Sequence, residues 1–246
     1  MGHGVTGPVT VTRLFDREPR IVAPGAVHLP GWLDPDTQRS LVEACRGWGV
    51  EVGGFRSPRM PRGGTMSVQI ASLGWHWYPY RYSRHLDDGD GRRVPPFPSR
   101  LGDLSRRAVD DARKVDPDID GKASDETDET DETALAYEPD VALVNWYGPG
   151  ARMGMHVDRD EPCPAPVVSF SLGDSCTFRF GSPAGRGRPW TDVLLESGDL
   201  FVFGGPSRLA YHGVPKVIPD SGDPGVGVDG GRFNITVRQS GLTDDE

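Results

Sequence analysis

The stretch Arg232-Phe233-Asn234-Ile235-Thr236-Val237-Arg238 alternates polar and apolar side chains without a break. In an extended chain successive side chains point to opposite faces. Arg232, Asn234, Thr236 and Arg238 therefore share one face, and Phe233, Ile235 and Val237 share the other. The apolar face is built to pack. The polar face carries two guanidinium groups with an amide and a hydroxyl between them. A guanidinium matches a carboxylate and binds it bidentately, so this face suits a ligand with a carboxylate at each end, such as 2-oxoglutarate. A strand that shows two arginines to solvent has the same pattern.

Working back from this strand, the runs Val141–Tyr147, Val167–Leu172, Cys176–Phe180, Val193–Leu195 and Leu200–Phe203 are short, apolar or alternating, and punctuated by Gly, Pro, Asp or Ser. Several short strands with no helices between them predict an antiparallel sandwich or jelly roll. Two helices precede them. Asp34-Pro35 is a helix start, with Asp as N-cap and Pro in the first turn, and Leu41, Val42 and Cys45 give that helix an apolar side. Ser99 to Val115 is the second helix, with Leu101, Leu104, Ala108, Ala112 and Val115 forming one stripe. Both helices are expected to pack outside one sheet. The fold class is thus mainly β with flanking helices. Residues 1–20 show no period and are expected to be a loose arm, and 242–246 a tail.

The 33 Gly and 23 Pro of this 246-residue chain agree with many turns. No apolar run is long enough to span a bilayer, and the N-terminus lacks a secretory pattern, so no membrane partner is expected. Three scattered cysteines, Cys45, Cys163 and Cys176, argue against a disulfide framework and for a reducing cytoplasm. The net charge of −9 is unevenly placed. From Val109 to Asp140 there are 13 acids against 3 bases, whereas Glu51 to Arg107 holds 10 arginines against 5 acids. Within the acidic part, Asp116–Thr133 writes Asp-Glu-Thr three times and has almost nothing to bury. It is expected to be a disordered, dispensable insertion.

His156-Val157-Asp158 can direct an imidazole and a carboxylate at one point. Two histidines and one carboxylate suit non-haem Fe(II) and leave positions open for cosubstrate and O2. The third candidate is His212, far enough along the chain to return on the opposite sheet. A histidine satisfied within a core is the alternative for that position. Asn145 and Tyr147 share a face directly before the Gly148-Pro149-Gly150 turn that leads to His156.

Taken together, Asn145-Trp146-Tyr147-Gly148-Pro149-Gly150, His156-Val157-Asp158-Arg159-Asp160-Glu161, His212 and Arg232–Arg238 resemble, in order and spacing, the AlkB family of Fe(II)- and 2-oxoglutarate-dependent nucleic-acid dealkylating dioxygenases. Gly63-Gly64-Thr65-Met66-Ser67-Val68 and Leu73-Gly74-Trp75 extend the resemblance, which covers roughly residues 20–241. It implies a double-stranded β-helix (jelly roll) at 134–241 within a single domain at 21–241, preceded by a nucleotide-recognition lid at 51–93. It implies His156, Asp158 and His212 as iron ligands and catalytic centre. It implies that Arg232 and Arg238 hold 2-oxoglutarate, aided by Asn145, Tyr147 and Asn234, without saying which arginine takes which carboxylate.

On the substrate side, the basic segment before the barrel carries Trp75, Trp77, Tyr78, Tyr80 and Tyr82. Aromatic faces stack on bases and arginines hold phosphates, although aromatics at this density also build cores. The resemblance implies Trp75 against the flipped base, Tyr80 near the phosphate or base edge, and Asp160 and Glu161 near the exocyclic side. The expected partner is alkylated nucleic acid, as single-stranded DNA bound by a monomer, repaired at N1-methyladenine or N3-methylcytosine with release of formaldehyde. The alternatives are the same iron chemistry on RNA, a protein or a small metabolite, or a non-catalytic jelly-roll module.

Overall fold

A computed structural model describes residues 17–61, 63–120 and 136–243. Two antiparallel sheets face each other in a jelly roll. The larger contains β1 (Arg20–Ala23), β2 (Ala26–Leu29), β3 (Gln69–Leu73), β6 (Val141–Tyr147), β8 (Val167–Gly173), β11 (Leu200–Phe203) and β13 (Arg232–Arg238), in the order β1-β2-β11-β8-β13-β6-β3. The smaller is β10 (Thr191–Leu195), β9 (Cys176–Phe180), β12 (His212–Val217) and β7 (Met153–His156), in that order. A separate hairpin, β4 (His76–Tyr78) with β5 (Arg81–Ser83), lies between β3 and the second helix in sequence.

The period-two strand reading holds in detail. β13 lies between β6 and β8, with Asn234 opposite Asn145 and Arg232 opposite Tyr147. Its apolar face, Phe233, Ile235 and Val237, joins the core beneath the helices. Burying each such side chain contributes roughly 1.5–3 kcal/mol. The opposite face of the large sheet meets the small sheet, where Phe178, Phe180, Phe201 and Phe203 interleave, with Phe178 and Phe201 edge to face at 4.9 Å.

Helix α1 (Pro35–Glu51) starts as its sequence predicts, the Asp34 carboxylate accepting the Thr37 backbone N–H at 2.7 Å. Helix α2 (Ser99–Val115) buries Leu101, Ala108 and Ala112, with Leu104 and Val115 partly covered. Both helices lie against the large sheet. No helix among the described residues is long and apolar enough to cross a membrane.

Several strands were not legible in the sequence. β1, β2, β4, β5 and β7 have only three or four residues, too few to display a period. β12 contains Gly213 and Pro215, which break its alternation, and its register shifts beside both neighbours at that point.

The expected arm and insertion need correction where they are described. Arg17 already grips Asp199 through two 2.6 Å hydrogen bonds, so order begins before residue 20. Residues 116–120 are packed rather than disordered. Asp116 accepts the Gly25 N–H at 2.8 Å, and Ile119, on the 3-10 turn Pro117–Asp120, is completely buried. One isoleucine and one capping carboxylate suffice to hold a short segment that its acidic composition disguised. Residues 121–133 of the expected insertion lie outside the described residues.

Ile119→Ala is expected to lower the unfolding free energy by about 2–4 kcal/mol, as other buried truncations do. A urea midpoint equal to that of the parent would show that residues 116–120 do not pack.

Candidate metal centre and cosubstrate strand

β12 runs beside β7 with His212 directly opposite His156. The expectation that His212 returns on the opposite sheet is therefore corrected: it arrives on the neighbouring strand of the same sheet. Gly213 permits this approach, because a Cβ there would stand 2.8 Å from the Met153 carbonyl oxygen. Asp158 lies in the loop just beyond β7. Its Oδ1 is 3.6 Å from His156 Nε2 and its Oδ2 is 3.8 Å from His212 Nε2. One potential ligand atom from each residue falls within 4.8 Å of the others.

The histidines are oriented by their own strands. His156 Nδ1 is 3.0 Å from the Gly154 carbonyl and His212 Nδ1 is 3.0 Å from the Ala210 carbonyl. A carbonyl only accepts, so each Nδ1 carries the proton and each Nε2 keeps a lone pair toward the common point. Burial first, then the neighbouring His156, pushes the His212 pKa down to about 4, which keeps it neutral. Burial alone would raise the Asp158 carboxyl, but the Arg238 guanidinium beside it holds it well below the usual carboxylate range. Two imidazoles, one carboxylate and open space beyond them fit a divalent iron.

The polar face of β13 completes the floor of a cavity of about 740 Å³ that also contains the triad. All four of its residues are buried. Arg232 donates to Ser171 Oγ and approaches Cys176 Sγ, each at 2.9 Å, and its Nε has no partner among the described residues. Arg238 donates to Asp158 Oδ2 through Nη2 at 2.7 Å and Nε at 3.2 Å, while its Nη1 has no partner among the described residues. A buried N–H without an acceptor is costly. Two such guanidinium donors flanking one cavity fit an anion with two carboxylates. Asn145 Nδ2 donates to Asn234 Oδ1 at 3.2 Å, and Asn145, Tyr147 and Asn234 all line the cavity.

The substrate side departs from expectation at Trp75. Gly74, at φ +78°, lies so close to Asp140 that a Cβ would meet its carbonyl oxygen at 1.9 Å. The turn swings Trp75 into the core, where its Nε1 donates to Asp140 Oδ2 at 3.1 Å and Arg84 covers its ring at 3.5 Å. Trp75 is absent from the cavity wall. Trp77, two residues on, takes that place and donates to Asp160 Oδ2 at 2.9 Å. Tyr80 does line the cavity, 67% exposed and at φ +74°, a strained backbone state for a bulky residue. Asp160 and Glu161 reach the wall, but Glu161 is buried against Tyr82, Arg208 and Arg238.

Sequence reasoning missed Arg208, whose Nη1 donates to the Asp158 backbone carbonyl at 2.7 Å. It also missed four of the five methionines, Met60, Met66, Met153 and Met155, which line the cavity. Their pairing beside the glycine turns at 63–64 and 148–150 was the available signal.

A jelly roll with a two-histidine, one-carboxylate triad beside buried, half-satisfied arginines defines a 2-oxoglutarate- and iron-dependent oxygenase. Residues 25–238 match the family described as the 2OG-Fe(II) oxygenase superfamily. The chain is 40% identical over 232 residues to the "Alpha-ketoglutarate-dependent dioxygenase AlkB homolog" of Caulobacter vibrioides, covering 91% of each. It is 34% identical over 228 residues to the "DNA N(6)-methyladenine demethylase ALKBH1D" of Arabidopsis thaliana, covering 89% of this chain but half of that relative. The solved structure of OsALKBH1 superposes with a TM-score of 0.75 at 33% identity, over 89% of this chain and all of that one. The chain belongs to the AlkB family of 2-oxoglutarate-dependent dioxygenases.

Asp158→Ala is expected to abolish binding of Mn(II), a calorimetric stand-in for iron, because a third of the protein ligands is lost. It should also destabilise the metal-free fold by about 3–5 kcal/mol, since Arg238 is left buried without its carboxylate. Asp158→Asn, which keeps an acceptor, should lose the metal with less loss of stability. Parent-like Mn(II) binding in either variant would remove Asp158 from the ligand set.

Proposed function

We propose that this protein is an oxidative demethylase of N-alkylated bases in single-stranded DNA, acting at N1-methyladenine and N3-methylcytosine. The observation that carries the reading is one continuous cavity. It joins the triad and the arginine face of β13 to a mouth built from Trp77, Tyr80 and Asp160. Residues 51–93 supply that mouth's aromatics and act as the recognition lid. Iron, 2-oxoglutarate and O2 together supply the oxidation of a methyl group, with succinate and CO2 as products.

The protein's own residues bind and orient. Arg238 and Arg232 hold the cosubstrate carboxylates with the donors that are otherwise unsatisfied. Trp77 and Tyr80 receive the extruded base. Phe178, Leu143 and the four methionines keep water from the reacting carbon. Hydroxylation of a methyl on ring nitrogen gives a hemiaminal, which collapses to formaldehyde and the restored base. Methylation at adenine N1 or cytosine N3 leaves the ring cationic and unable to pair, so extrusion is cheap. Among the described residues Asp160 has no cationic partner, and its carboxylate favours a cationic ring; stacking on Trp77 adds about 1–2 kcal/mol. Glu161, whose charge is balanced by Arg208 and Arg238, contributes little to that preference.

N6-methyladenine, the base in the Arabidopsis relative's name, is neutral, and this sets up the deciding experiment. Formaldehyde release is measured on matched oligonucleotides carrying cationic or neutral methyl lesions. Cationic lesions in DNA should turn over faster, and Asp160→Ala should narrow the gap. Equal rates on both lesion types would favour the neutral-base activity, and no turnover of any nucleic acid would overturn the reading. Arg238→Lys keeps the charge but loses the planar fork, so the KM for 2-oxoglutarate should rise. An unchanged KM would show that Arg238 does not hold it. Trp77→Ala should raise the KM for the oligonucleotide; if only Trp75→Ala does so, the aromatic platform has been misassigned.

A further inference from the structure

Trp77 and Tyr82 are cross-strand partners on the β4–β5 hairpin. They donate to two consecutive carboxylates, Trp77 Nε1 to Asp160 and the Tyr82 hydroxyl to Glu161 Oε1. The hairpin is thus docked by a matched pair of hydrogen bonds onto the loop that follows the metal ligand Asp158. Tyr82 does not line the cavity, and Glu161 is almost fully buried.

From Glu161 the contacts run inward. Its Oε2 meets Arg208 Nη2 at 3.2 Å, and its Oε1 lies 3.4 Å from Arg238 Nε. Arg238 donates to Asp158 Oδ2. Arg208 braces the same loop through the Asp158 and Ala165 carbonyls at 2.7 and 2.8 Å. Two carboxylates and two guanidinium groups balance in charge, so the cluster is held by directed bonds rather than by a surplus of either sign.

We propose that Tyr82 is a positioning residue through which the lid hairpin sets the affinity for 2-oxoglutarate. The proposal rests on the reading that Arg238 takes a cosubstrate carboxylate. Glu161 Oε1 stands between the Tyr82 hydroxyl and Arg238 Nε. While the hydroxyl holds it, the oxygen stays at long range from Arg238, which keeps its bonds to Asp158 and leaves Nη1 for the cosubstrate. Without the hydroxyl, Oε1 closes on Arg238 and draws the fork from the cavity. Coupling of this kind is reciprocal: cosubstrate binding must tighten the hairpin by the same factor. A nucleic acid that seats the hairpin therefore raises cosubstrate affinity at the moment when oxidation is useful.

The test is calorimetric binding of 2-oxoglutarate to the full chain with Mn(II) in place of iron. The proteins are the parent, Tyr82→Phe, Glu161→Gln, the double variant and Arg238→Lys, each with its Tm recorded. Tyr82→Phe should raise Kd roughly three- to tenfold, and should have almost no further effect in the Glu161→Gln background, because the connection is already cut. Hydrogen exchange of residues 76–83 should slow on adding 2-oxoglutarate in the parent and not in Tyr82→Phe. If Arg238→Lys weakens binding while Tyr82→Phe leaves Kd unchanged or acts additively with Glu161→Gln, the coupling is overturned and the cosubstrate reading stands. If Arg238→Lys binds like the parent, both fall. A Tyr82→Phe protein with lowered Tm but parent-like Kd and exchange response has lost a structural contact only, which also overturns the proposal.

Discussion

Arg238 reaches from the large sheet to Asp158 on the loop beyond β7, and the buried ion pair between them joins the two sheets beside the floor of the cavity. Neither charge tolerates burial alone, so each dictates where the other must be. Asp158 is held in reach of both histidines because Arg238 and the backbone bond from Arg208 fix its loop. Arg238 spends only part of its donor set on that carboxylate. Among the described residues the remaining Nη1 has no acceptor, and the guanidinium group lines the cavity beside the triad.

The rest of the site follows from strand geometry. β13 is a central strand, so its two faces have different duties: Phe233, Ile235 and Val237 anchor it under the helices, and the polar residues are left to line the cavity. The pairing of β12 with β7 brings two histidines that are 56 residues apart in sequence to ring centroids 4.4 Å apart. Phe203, at 5.0 Å from the His212 ring, and Phe178, at 5.8 Å, back that histidine, and their burial favours its neutral form.

The β4–β5 hairpin meets this frame beside the candidate metal centre. It is attached through side-chain hydrogen bonds to Asp160 and Glu161 and through the Trp77 backbone N–H to Ser72 Oγ, with Trp77 and Tyr82 packed against the core between the sheets. Its side-chain bonds end on the same loop that carries Asp158 of the candidate triad, so the hairpin and the candidate metal centre share one short piece of chain.

The local patterns were enough, from the sequence alone, to define much of this protein. The alternation at Arg232–Arg238, the cap at Asp34 and the stripe in Ser99–Val115 are periodic signals, and each arises from the backbone geometry of a single element. The joint spacing of His156, Asp158, His212 and the β13 arginines pointed to the family and to the candidate triad that the fold brings together. What only the tertiary structure decided was contact between elements. The family resemblance placed Trp75 at the base, but the turn at Gly74 buries it, and Trp77 lines the cavity. The sequence placed His212 on the facing sheet, but strand order puts it beside His156. The acidic composition of residues 116–120 suggested disorder, but Ile119 finds a buried niche. Arg208 and Tyr82 carry no motif, and their roles exist only because folding brings them to Glu161. Periodicity reports which way a side chain points within its own element; which partner it meets there is set by long-range packing, and no local pattern encodes that.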